Sequence, residues 1–104
     1  MTHEKNLRTL LIPPKIGQSP EAFEILRVWL ARTGPHFSVL PDVWEDPAAW
    51  GLLLADVARH VANGLSGGNT SKRDAVLSRI RNGIDAELAH PTTDTPGGFV
   101  PNDE

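Results

Sequence analysis

Asp56 and His60 stand four residues apart in a stretch that reads as helix, so their side chains share one face and can touch. A carboxylate beside an imidazole can orient the ring for general-base work, or begin a metal site. The other parts of such a site are sparse. No second histidine lies on this helix, His3 and His90 lie near the chain ends, and only His36 can arrive from a neighbouring element. Asp56 with Arg59 or His60 therefore reads first as a surface ion pair, contributing roughly 0.3–0.5 kcal/mol. A polar site at Asp56, Arg59 and His60 is the speculative reading beside it. No metal ligand set, catalytic residue or cofactor is indicated.

Leu65-Ser66-Gly67-Gly68-Asn69 resembles the signature loop of ATP-binding-cassette ATPases and precedes a helix, whose N-terminus can hold phosphate. No Gly-x4-Gly-Lys-Ser/Thr loop exists to bind the nucleotide, so a plain connection is the better reading. Lys72, Arg73, Arg79 and Arg81 make the last helix locally basic, but Asp74, Asp85 and Glu87 dilute it. No aromatic residue is interleaved there to stack on bases, which disfavours nucleic acid. Of the three tryptophans, Trp50 opens an apolar stripe and Trp44 covers the first turn beside it. Trp29 is the one that suits an interface or the wall of a groove.

Composition sets the outer bounds. A chain of 104 residues forms one domain with a modest core, and a net charge of −3 weakly opposes nucleic acid or anionic membrane as partner. Without cysteine there are no disulfides, thiolate nucleophiles or cysteine-bound metals. No apolar run approaches the roughly 20 residues of a membrane span, and Leu10-Leu11-Ile12 is too short for a signal peptide. A cytoplasmic location is the default.

The elements that must position these residues centre on 46–64. Asp46 caps a helix, Pro47 suits its first position, and Glu45 adds negative charge at the positive end of the dipole. Trp50, Leu53, Leu54, Val57, Ala58, Val61 and Leu65 then recur in steps of three and four, predicting one apolar face. Gly51 and Ala55, off that stripe, would let another backbone approach closely. Gly64 and Gly67-Gly68 supply the stop. A second helix opens with Ser71 and Asp74 in capping-box spacing, carries Val76, Leu77, Ile80, Ile84 and Leu88 on one face, and closes at His90-Pro91. Gly83 inside it marks either a weak point or a crossing with a neighbour.

Upstream, Pro13-Pro14 ends a short extended piece at Thr9–Ile12. Residues 23–31 carry both helix and strand signals, but dense β-branched and aromatic residues favour a strand. With turn chemistry at Arg32–Pro35 and period-two alternation at His36–Leu40, the segment reads as a β-hairpin. One face holds Leu26, Val28, Leu30, Phe37 and Val39, the other Ile25, Arg27, Trp29, His36 and Ser38.

The predicted fold is α+β: a hairpin packed against two helices, with an extended N-terminal segment and a disordered C-terminal tail. The limits are a flexible 1–8, a single domain over 9–90 and the tail over 91–104. A hairpin needs helices on one face, leaving Ile25 and Trp29, with Phe23, uncovered on the other. Tryptophan and arginine are enriched at interface centres. Ile25, Arg27, Trp29, His36 and Ser38 are thus interface candidates, and self-association as a homodimer is the simplest use of them.

Glu24-Ile25-Leu26-Arg27-Val28-Trp29, Trp44-Glu45-Asp46-Pro47-Ala48-Ala49-Trp50-Gly51, Leu54-Ala55-Asp56 and Ala58-Arg59-His60 together resemble a family of short bacterial proteins catalogued only as a domain of unknown function. The similarity runs from about Leu11 to His90, and the Trp-Glu-Asp-Pro-Ala-Ala-Trp-Gly segment is its most specific part. The resemblance implies a small cytoplasmic protein and brings no activity, cofactor or catalytic residue. The reading is a non-enzymatic interaction or regulatory module acting as a homodimer, its protein partner unidentified. The alternative is a small-molecule-binding protein or enzyme whose polar cleft uses Arg27, His36, Asp56 and His60.

Overall fold

The computed structural model describes residues 8–92. The expected flexible start and disordered tail therefore fall, apart from Arg8, Pro91 and Thr92, outside the described residues. Thr9–Ile12 forms no regular element and takes part in no backbone hydrogen bond among the described residues. Pro14–Gln18 then closes a single 3-10 turn.

Two strands follow, β1 (Leu26–Ala31) and β2 (Gly34–Val39), paired antiparallel as the alternation predicts. Val28 lies opposite Phe37 and Trp29 opposite His36, which gives the two faces their expected membership. Arg32 and Thr33 make the connection with no positive φ between them, so the turn is not of the primed type that matches strand twist. Gly34, at φ 114°, absorbs the mismatch.

One bond sets the phase of the ladder. The Leu40 N–H donates to the Ile25 carbonyl oxygen at 2.9 Å, and opposed pairs that exchange such bonds alternate with pairs that do not. Leu26, Val28 and Leu30 therefore turn their backbone groups away from β2, and Pro35, Phe37 and Val39 turn theirs away from β1. Pro35 has no N–H to give, and it sits on the outward phase where the hairpin requires none.

α1 spans Ala48–Ser66. Its start is as read from the sequence: the Asp46 carboxylate accepts the Ala48 N–H at 3.0 Å, and Pro47 already has helical angles. Gly67 ends it in the left-handed conformation, φ 59°. α2 spans Thr70–Ala89, and here the cap differs from expectation. Asn69, not Ser71, caps it, its side-chain oxygen accepting the Lys72 N–H at 2.9 Å. The helix thus begins one residue before the presumed capping box, and Ser71 lies within its first turn.

α1 and α2 pack on each other, but the buried face of α1 is not the expected stripe. Ala62, fully buried, and Ser66, 6% exposed, are the only buried side chains among the described residues. They continue a row of small residues, Ala55 and Ala58, the second shared with the expected stripe, in steps of three and four, which lets α2 approach closely. Leu54, Val57, Val61 and Leu65 run beside that row and remain 45–60% exposed. Gly51 and Gly83 both face open space, so neither marks a crossing.

The hairpin was expected to cover that apolar seam. Among the described residues, no Cα of β1 or β2 comes within 8 Å of a Cα in α1 or α2. Side chains can still meet across such a gap, yet Leu30 on the presumed core face is 86% exposed and Val28 is also open to solvent. The elements of the α+β fold are those predicted. What differs is that little apolar surface is enclosed between its two halves.

Candidate functional site

The polar candidates come first because they decide the chemistry. Asp56 and Arg59 form an exposed ion pair at 2.6 Å, one turn apart on α1. His60 lies exposed on the same helix and makes no hydrogen bond with Asp56 among the described residues. His36 is on β2, where its Nε2 meets the Thr33 hydroxyl at 2.7 Å across the turn. No hydrogen bond or ion pair joins His36 to Asp56 or His60 among the described residues. The four residues of the polar-cleft reading are spread over both halves of the fold. Among the described residues no group of three or more histidine or carboxylate side chains could hold a metal ion.

The interhelical loop is equally informative. Its concave surface is small, about 70 Å³, and is lined by Asn63, Ser66, Gly68, Asn69, Thr70 and Arg73. The Asn69 side chain already occupies one of the free amides at the α2 start, so that end is capped by its own chain. Gly67 and Gly68 both take positive φ and serve the reversal between helices.

The interface candidates occupy one face of the hairpin, as read from the alternation. Arg27 reaches back to Glu24 in a two-pronged ion pair, with both contacts at 3.0 Å. Its guanidinium also stands 6.0 Å from the Trp29 ring centroid, within cation–π reach. Ile25, Trp29, His36 and Ser38 are half-buried, while the more open apolar residues, Val28 and Leu30, lie on the opposite face. A groove of about 710 Å³ runs beside β1, between that strand and the N-terminal arm. Leu10, Leu11, Ile12, Ile16, Phe23 and Trp29 are among its lining residues. Leu10 and Leu11 are 96% and 94% exposed, so the arm stands off the strand rather than covering it.

A family model described as a domain of unknown function, DUF5076, matches residues 9–92. The chain belongs to this family. Among solved structures it is similar to a chain from the photosynthetic bacterium Rhodopseudomonas palustrus CGA009, a protein provisionally named a pyruvate dehydrogenase. The two share 29% identity over 95% of this chain and 98% of that one, with a TM-score of 0.72. They are therefore nearly coextensive, and the neighbour has the same small architecture. No match is found among curated proteins.

Two features of this surface are missed by the apolar periodicity. The first is the exposed seam Leu54, Val57, Val61 and Leu65. Its signal was the parallel row of small residues, which marks where α2 must lie and leaves the larger side chains outside. The second is the direction of the free β1 edge, for which Pro35 was the available marker. No helix among the described residues is long and apolar enough to cross a membrane.

Proposed function

We propose that this chain is a bacterial, cytoplasmic interaction or regulatory module over residues 9–90 that acts as a homodimer and catalyses no reaction itself. The observation that carries the reading is the poverty of the isolated core: Ala62 and Ser66 are the only buried side chains among the described residues. Meanwhile the α1 seam, Val28, Leu30, Phe23 and the Leu10–Ile12 arm face solvent. Apolar area removed from water stabilises by about 25 cal/mol per Å², and a lone protomer leaves most of that gain unused. A second copy is the partner whose supply always matches the chain's own. The bacterial source of the similar structure supports the bacterial assignment.

Multi-angle light scattering tests this directly. The expected mass is twice the 11.3 kDa of the chain. The melting temperature should rise with protein concentration, as it does when folding and association are linked. A monomeric chain whose melting is independent of concentration overturns the reading.

The groove beside β1 favours a second reading, since its volume lies in the range of roughly 300–1,000 Å³ usual for small-molecule sites. Of Arg27, His36, Asp56 and His60, it contains only Arg27. A carboxylate ligand that takes the place of the Glu24 carboxylate on Arg27 beside Trp29 is the form this takes, and pyruvate, named for the similar protein, is the first probe. Titration with pyruvate should change Trp29 fluorescence, read as the difference from a Trp29→Phe variant; an unchanged difference signal removes this reading.

A further inference from the structure

We propose that two copies join through β1, antiparallel and edge to edge, with Val28 opposite Val28 of the second copy, to make one four-stranded sheet. This rests on the homodimer reading and names the joint. The ladder phase turns the N–H and C=O groups of Leu26, Val28 and Leu30 outward along a free edge, with no backbone partner among the described residues. The outer edge of β2 is the poorer choice, because Pro35 leaves a gap in its row of donors. The N-terminal arm lies across the groove from this edge and makes no backbone hydrogen bond to it among the described residues.

Charge selects the register. Outward groups on both strands can pair only when an even step relates the copies, which leaves three central registers. Centring on Arg27 sets two guanidinium groups against each other, at a cost. Centring on Trp29 leaves Glu24 facing Gly34. Centring on Val28 sets Arg27 against the partner's Trp29 and Leu26 against the partner's Leu30, and beyond the strand ends it brings Glu24, already held by Arg27 of its own chain, toward the partner's Arg32 at the turn. It alone joins opposite charges, an arginine with an aromatic face, and apolar side chains together. The joined sheet then carries Leu26, Val28, Leu30, Phe37 and Val39 of both copies on one face, a continuous platform for the exposed α1 seams.

The chain has no cysteine, so a single introduced thiol reports its own neighbour. At the two-fold centre the Val28 Cα atoms stand about 5.5 Å apart, inside the range a disulfide spans. Leu30 and its copy would be separated by about 14 Å along the strand, far outside it. With oxidised glutathione, Val28→Cys should become a covalent dimer and Leu30→Cys should not. Val28→Pro removes an outward N–H and leaves the bonds of the hairpin's own ladder in place, so it should halve the mass in light scattering while circular dichroism keeps the helices. Cross-linking of Leu30→Cys in place of Val28→Cys overturns the register. A dimeric wild type in which neither thiol cross-links, or in which Val28→Pro stays dimeric, overturns the β1 joint and leaves the homodimer standing. A monomeric wild type overturns both.

Discussion

The indole N–H of Trp50 donates to the Pro41 carbonyl oxygen at 3.1 Å, tying the first turn of α1 to the end of the hairpin. Trp44 meets the same indole edge-on, with ring centroids 5.4 Å apart. This pair of contacts fixes the segment between the two halves, where no strand approaches a helix closely. Trp50→Phe keeps an aromatic ring but deletes the donor, and a net hydrogen bond contributes about 0.5–1.5 kcal/mol. The melting temperature should fall by roughly 4–8 °C per kcal/mol for a chain of this size. An unchanged melting curve would show that the Pro41 contact contributes nothing.

Asn69 and Ser71 make opposing claims on the start of α2. With the Asn69 oxygen on the Lys72 amide, Asn69→Ala should cost about 1 kcal/mol. Ser71→Ala, inside the first turn, should lie within about 0.5 kcal/mol of the parent. Urea unfolding followed by circular dichroism separates the two, and the reverse ranking would restore the capping box to Ser71.

Ala62 and Gly64 sit two residues apart on α1 and should respond in opposite directions to added volume. Ala62 is fully buried against α2, so Ala62→Leu should destabilise by about 1–3 kcal/mol through overpacking. Gly64 faces open space with no positive φ, so Gly64→Ala should stabilise by about 0.4–1 kcal/mol. Thermal melts of the two variants check both signs.

The local grammar of the chain was readable. Period-two alternation gave the strand faces, Asp46-Pro47 gave the start of α1, and Gly67 gave its stop, because each depends on neighbours in sequence; Gly64, read with it as part of the stop, lies inside the helix. The side of α1 that α2 covers was not readable from apolar periodicity, which ranks Leu54 and Val57 above Ala58 and Ala62. Helices approach where side chains are short, so the closest contact formed on the small row and the larger residues were left beside it. For the polar candidates, spacing correctly placed Asp56, Arg59 and His60 on one helix. It carried no information on how far His36 would stand from them, since that distance depends on how the hairpin and helices are set in space.

Pro35 has a consequence for what the protein avoids. A ribbon with two open margins invites stacking without end, the route by which exposed strands seed insoluble fibrils. By withholding one donor on the far margin, Pro35 makes lateral growth asymmetric: recruitment is favoured on one side and interrupted on the other. A small protein rich in uncovered apolar side chains can in this way remain a finite particle.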